Sequence, residues 1–181
     1  MKKVYLFLAE GFEGIEAIAT IDMLRRAEID VKSVSIQHNK AVTGAHGVTV
    51  QADLLLDGSD LSDAAMLILP GGMPGTKHLA ECAPLRELIL SHNAEGKLLA
   101  AICAAPSVFG GLGLLEGKEG TCYPGFEPML AGAIHSNKPV VVSDNIITSA
   151  GPGTVTHFAL QIITVLKGAV AAEAVAKGML I

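Results

Sequence analysis

A parallel α/β fold is what this sequence predicts, on three observations. Four short runs are rich in apolar residues: KVYLFLA (3–9), VKSVSIQ (31–37), AAMLILP (64–70) and KLLAAI (97–102). Strands of this kind are buried on both faces. Helix-length segments with one apolar stripe lie between them. Strands alternating with helices call for a parallel sheet covered on both sides. At 181 residues, half of them hydrophobic and 17% charged, the chain is globular and long enough for a sizeable core. It shows no internal repeat, low-complexity tract or linker, so 1–181 reads as a single domain.

The elements follow in order. Strand 3–9 leads through AEGFEGIE into a helix over 13–29. Ala17, Ile18, Ile21 and Leu24 form its apolar stripe, and Asp22 and Arg26 stand at i,i+4 spacing for an ion pair. Strand 31–37 comes next. AVTGAHGVTVQAD (41–53) departs from the pattern, with an alternating strand around Val48 and Val50. After strand 64–70, CAPLRELILSHN (82–93) gives a helix with Leu85, Leu88 and Ile89 facing inward; Cys82, before Ala-Pro, starts it. Strand 97–102 stops at Cys103, and Pro106 sits in the first turn of a short helix. PVVVSDNIITSA (139–150) is a hairpin with a tight turn at Asp144–Asn145. GPGT (151–154) opens a helix, and AVAAEAVAKGML (169–180) forms a last, amphipathic one.

Composition excludes several classes. A formal net charge of −5 argues against a nucleic-acid surface, which needs a basic face. The adjacent basic pairs Lys2–Lys3 and Arg25–Arg26 are too short to form a patch. The cysteines are Cys82, Cys103 and Cys122. An odd number without a CxxC pattern speaks against a disulfide framework and for a reducing, cytoplasmic setting. MKKVYLFLAE begins like a signal peptide, but its apolar run is short and no small-residue cleavage site follows. The uncharged stretch from Leu98 to Leu115 is broken by Pro106, Gly110, Gly111 and Gly113, so no membrane span is expected. The histidines His38, His46, His78, His92, His135 and His157 lack ligand spacing, so no metal is expected. Neither a Walker nor a dinucleotide fingerprint occurs, so no cofactor is expected.

Ligands of an open parallel sheet bind outside the carboxyl ends of its strands, and three predicted strand ends carry unusual residues. In AEGFEGIE, Glu13 and Glu16 stand at a helix start. Either they complement the helix dipole, or Glu16 faces inward as a proton shuttle. In LILPGGMPG, the Gly pair either makes an ordinary strand-to-helix turn or turns the Gly72 N–H toward a ligand oxygen. In LLAAICAAPSV, Cys103 is either a buried inert thiol or a displayed nucleophile. In the second case the helix start would lower the thiol pKa and the Ala104 N–H would face an oxyanion. The coincidence of all three ends favours display. GPGT could cradle an anion, although capping explains it more simply. Cys122, beside Tyr123, is expected near the same site.

At this point the sequence resembles the ThiJ/PfpI superfamily, in its DJ-one (Parkinson-associated protein) branch. The resemblance spans nearly the whole chain and rests on FLAEGFEGIEAIATIDMLRRA, VTGAHGVTVQAD, LILPGGMPG, AAICAAPSV and TSAGPGT, in that order. It implies a flavodoxin-like three-layer sandwich with a mostly parallel central sheet, like class I glutamine amidotransferases, and a homodimer. It matches Cys103 to the reactive cysteine of a strained elbow. Glu16 matches the acid bonded to that cysteine, and Gly72 and Ala104 match the oxyanion-type N–H groups. His46 stands where close relatives often carry an Arg that a neighbouring subunit brings near the pocket. Arg26 matches a second position near that pocket.

Three departures bear on activity. The peptidase branch has His directly after the cysteine, where this chain has Ala104. Glyoxalase-active members carry a His before a Pro on a later strand, where GTCYPGF supplies Tyr123. A phenol can donate a hydrogen bond but is a poorer base than imidazole near neutral pH. Some relatives pair an Arg before GPGT with an acid in the next helix, and here Ala150 and His157 occupy those places. The resemblance therefore implies a cysteine-dependent, glutathione-independent glyoxalase or deglycase that converts methylglyoxal to lactate in a stress response, acting on small reactive carbonyls. A redox sensor or chaperone-like protein built on an oxidisable Cys103 is the alternative, with a cysteine peptidase behind both.

Overall fold

Alternation along the strands explains the architecture of the computed structural model, which describes residues 3–181. In β1 (Lys3–Leu8), Val4, Leu6 and Leu8 enter one core while Tyr5 and Phe7 enter another. Successive side chains of a strand point to opposite faces, so a strand apolar at every position needs cover on both. The other elements follow in order: α1 (Gly14–Arg26), β2 (Asp30–Ser35), β3 (Ala41–Thr43), β4 (Thr49–Gln51), β5 (Leu54–Leu55), β6 (Ala64–Leu69), α2 (Gly75–Glu81) and α3 (Ala83–Ala94). Then come β7 (Leu98–Ile102), α4 (Pro106–Gly111), β8 (Glu119–Gly120), β9 (Ile134–His135), β10 (Val140–Ser143), β11 (Ile146–Ser149), α5 (Val155–Lys167) and α6 (Ala169–Met179).

A seven-stranded sheet runs in the order β10-β11-β7-β6-β1-β2-β5. Every neighbouring pair is parallel except the hairpin β10–β11. One core joins the sheet to Leu24 of α1, Phe158 and Ile162 of α5 and Val175 of α6. The other joins it to Leu79 of α2, Ile89 of α3 and Phe109 of α4. This is the expected three-layer α/β sandwich. The chain winds outward from β1 in both directions, to β2 on one side and to β6 and β7 on the other. The crevice at such a reversal lies at the carboxyl ends of β1, β6 and β7.

Several local expectations hold. Arg26 Nε donates to Asp22 Oδ2 at 2.7 Å. The β10–β11 turn places Asp144 at φ +52°. Others need correction. Ile18 is 45% exposed, because α1 buries a narrower stripe than its apolar content suggests, whereas Leu88 of α3 is half-buried but packs inward against the core as expected. The 41–53 segment is the hairpin β3–β4, and Val48 stands in its loop at 56% exposure. Helix α2 gave no periodic signal in its seven residues. GPGT forms a one-turn 3₁₀ segment before α5. Lys2, of the Lys2–Lys3 pair, and the start of the signal-like stretch lie outside the described residues; Lys3 pairs with Asp63 at 2.6 Å. No helix among the described residues is long and apolar enough to cross a membrane.

Candidate active site at the Cys103 elbow

The site begins with a backbone strain. Cys103 follows β7 at φ +66°, a left-handed conformation that side-chain-bearing residues seldom adopt. Two hydrogen bonds hold it there. Its N–H donates to Ser149 O on β11 at 2.9 Å, and its carbonyl accepts the Tyr123 N–H at 2.8 Å. Ala105 N–H then returns to Ile102 O at 3.1 Å, closing the turn into α4. The residue keeps 9% of its surface exposed, so the thiol sits at the edge of the core.

The Gly71–Gly72 pair brings the first strand end to this elbow. Gly72 lies at φ +90°, and a Cβ there would come within 2.3 Å of Glu13 N and 2.6 Å of Gly11 O. Only glycine lets the 11–13 loop pack so closely, which Glu13 N–H seals by donating to Gly71 O at 2.9 Å. A Cβ on Gly71 would lie 2.6 Å from Cys103 Cβ and 2.8 Å from Glu16 Oε2. The cysteine and the carboxyl therefore crowd around one point. Gly71 N–H donates to Glu16 Oε2 at 2.7 Å. Oε2 is thus the oxygen turned to Gly71 and Cys103, while Oε1 has no hydrogen-bond partner.

Glu16 is wholly buried, and burial pushes its carboxyl up to about 7. The Gly71 N–H and the Cys103 thiol pull the other way, and the charge of Glu13 pushes up again. The Cys103 thiol is pushed up to about 12, first by burial and then by the Glu16 carboxylate. Hydrogen bonds from the Ala104 and Gly72 N–H groups to the sulfur oppose this. The expectation of a lowered thiol pKa is corrected here. The six-residue helix α4 and two N–H groups do not offset the burial of a thiol beside a carboxylate. Chemically, the pair is a thiol with a base whose own proton affinity suits neutral pH. The two N–H donors beside the sulfur face charge that develops near it.

The remaining candidates fall further out. Tyr123 is 47% exposed, joined to Cys103 through its backbone N–H, and its ring lies against Gly151. His46 is carried on the β3–β4 loop, which Gly11 N–H and Ala45 N–H tie to the 10–13 segment through Thr43 O and Phe12 O, each at 2.8 Å. Its Nδ1 stands 3.6 Å from Glu13 Oε2, so within one chain it reaches the start of α1 rather than Cys103. Arg26 is not brought to the elbow. It lies ten residues along α1 from Glu16, about 15 Å at helical rise, bonded to Asp22. Cys122 is buried in the core on the other face from Cys103, and burial pushes its thiol up to about 11. Among the described residues no group of three metal-ligating side chains forms. The sequence did not point to the Gly71 N–H as the donor to Glu16, although the glycine pair signalled a close approach, nor to Thr20, whose buried hydroxyl has no hydrogen-bond partner.

Known proteins resemble this chain over most of its length. The model of the DJ-1/PfpI family matches residues 2–165. "Protein DJ-1 homolog B" of Arabidopsis thaliana is 42% identical over 171 residues, 92% of this chain and 39% of the relative. The chain thus spans less than half the length of that relative, and 47% of a second Arabidopsis relative. "Glutathione-independent glyoxalase DJR-1.2" of Caenorhabditis elegans is 35% identical, over 88% of this chain and 85% of the relative. Prokaryotic relatives, each 32% identical, are named a deglycase in Pyrococcus abyssi and a putative cysteine protease in Bacillus subtilis; they align over 91% and 92% of this chain and 99% of their own lengths. The solved structure of oxidized DJ-1 from Toxoplasma gondii superposes with a TM-score of 0.95 at 36% identity, covering 99% of this chain and 98% of that one.

Proposed function

This chain belongs to the DJ-1/PfpI family, and from that premise we propose that it is a cysteine-dependent glyoxalase acting on small dicarbonyls without glutathione. The observation that carries the reading is the Gly71-mediated approach of Glu16 to Cys103 at the carboxyl ends of β6 and β7. The Cys103 sulfur adds to the aldehyde carbon of methylglyoxal as its proton passes to Glu16. The Gly72 and Ala104 N–H groups hold the developing oxyanion, which takes a proton to give a hemithioacetal. Glu16 then moves a proton from the former aldehyde carbon to the neighbouring carbon through an enediol. The resulting lactoyl thioester takes up one water, releasing lactate and the free thiol. The whole sequence is redox-neutral: methylglyoxal plus water gives lactate. Deglycation would draw on the same groups. The names of the nematode and archaeal relatives support this class of substrate.

The test is lactate formation from methylglyoxal by the wild type and by Cys103→Ser. Formation by the wild type alone is expected. Equal rates, or none in either protein, would remove the reading.

A second reading has its own observation. Burial keeps a proton on Glu16 up to about pH 7, where it could donate to an oxidised sulfur held by the same two N–H groups. Two equivalents of peroxide would convert the thiol to a sulfinate, releasing two waters. A redox-sensing role is favoured if mild peroxide adds two oxygens to Cys103 alone while lactate formation is absent. Peptidase action is disfavoured by Ala104, which supplies no imidazole next to the thiol. We further propose a homodimer in a reducing cytoplasm: Ile15 and Ile18 of α1 and Val48 of the β3–β4 loop leave apolar side chains exposed, and the three cysteines are free.

A further inference from the structure

Glu16 and Thr20 stand one turn apart on the same face of α1, and both are wholly buried. Each carries an oxygen without a hydrogen-bond partner, Glu16 Oε1 and Thr20 Oγ1. Residues four apart on a helix are neighbours, with Cβ atoms about 5–6 Å apart. The Cα–Cβ bond of the later one tilts toward the earlier turn. A helical threonine commonly returns its hydroxyl to the carbonyl four residues back. Thr164 does so on α5, donating to Leu160 O at 2.8 Å. Thr20 makes no such bond. Its hydroxyl is a free donor one turn from a carboxyl oxygen free to accept. A buried hydroxyl left idle costs stability, which argues that this one has a use.

We propose that Thr20 is a positioning residue for Glu16: through one bridging water its hydroxyl donates to Oε1 of the ionised carboxyl and keeps Oε2 on the Cys103 side. A water that bridges two such oxygens makes two hydrogen bonds of about 2.8 Å each. The inference rests on the reading of Glu16 as the base for Cys103. The other groups that act on this carboxyl are the Gly71 N–H, the Cys103 thiol and Glu13 at the head of the helix. His46, on the β3–β4 loop, reaches Glu13 instead. Helix α5, packed on α1, has His157 exposed beside Pro139 and Gln161, and Lys167 bound to Ala27 O at the far end.

The test follows alkylation of Cys103 by iodoacetamide against pH in the wild type, Thr20→Val and Thr20→Ser, with the modified peptide read by mass. Removing a donor to the ionised form makes ionisation harder. The acid limb of Thr20→Val should therefore move up by about one pH unit, a roughly tenfold slower reaction at pH 6. Thr20→Ser should keep the wild-type limb. Should Thr20→Val fail to fold, Thr20→Ala carries the same comparison. An unmoved limb in the valine or alanine variant, or an equal shift in the serine variant, overturns the proposal. A wild type that forms no lactate while this shift is present removes the glyoxalase reading and leaves Thr20 in place.

Discussion

At the scale of the residue, the site is a question of where one proton sits. Burial raises Glu16 to about 7 and Cys103 to about 12, so near neutral pH the thiol keeps its proton until a carboxylate takes it. Reaction at Cys103 should therefore increase as Glu16 ionises, with an acid limb centred near pH 7. Glu16→Gln should remove that limb and slow lactate formation by about 10²–10⁴-fold, the usual worth of a general base. Steady-state rates from pH 5 to 9 check this, and an unchanged limb in the glutamine variant would exclude Glu16 as the base. Cys103 and Glu16 were legible in the sequence because a strand that stops at cysteine and a helix that starts with acids are local patterns. The direction of the thiol shift was not. It depends on how deeply two side chains from distant segments are buried together, which no local pattern records. Thr20 was hidden for a similar reason, since a threonine within an apolar stripe looks like any other core residue.

At the scale of the element, the geometry depends on junctions rather than on the helices and strands themselves. The loop before α1 packs on the turn after β6 because Gly72 has no side chain. Gly72→Ala would push a methyl against Glu13 N and Gly11 O at a backbone angle that alanine resists. It should displace the head of α1, slow Cys103 alkylation at least tenfold and destabilise the fold by about 1–3 kcal/mol. Gly14→Ala is the control. It lies in the first turn of α1 with nothing within 4 Å of the added Cβ, and should be neutral or stabilising by up to about 1 kcal/mol. Urea unfolding with parallel alkylation rates separates the two; similar behaviour of both variants would contradict the packing argument. Elements with strong periodicity, such as β1, β6, β7 and α5, were readable from the sequence. The β3–β4 hairpin was read as one strand, although the chain reverses within it and is held by hydrogen bonds to residues 10–13, which are distant in sequence. Ile18 was assigned to the core from helical spacing, yet that position of α1 faces outward.

At the scale of the whole molecule, the two cores make the sheet's alternation cooperative, and Glu16 is an ionisable group placed inside one of them. Its carboxyl titrates at about 7 in the folded chain against an ordinary 4.5. Below pH 4.5 both states hold the proton. Between 4.5 and 7 the unfolded chain releases it while the folded chain retains it, so stability falls as pH rises. Above 7 both states are ionised and the loss is complete. The size of the effect is about 3 kcal/mol, from some 2.5 units at 1.36 kcal/mol each. Glu16→Gln carries no such titration. The stability of the variant relative to wild type should therefore grow by about 3 kcal/mol between pH 4.5 and pH 7.5 in urea unfolding. A constant difference across that range would mean that the folded chain binds the Glu16 proton no more tightly than the unfolded one. The base assignment and the part given to Thr20 would then lose their common footing, because both need a carboxyl whose ionisation the fold itself makes difficult.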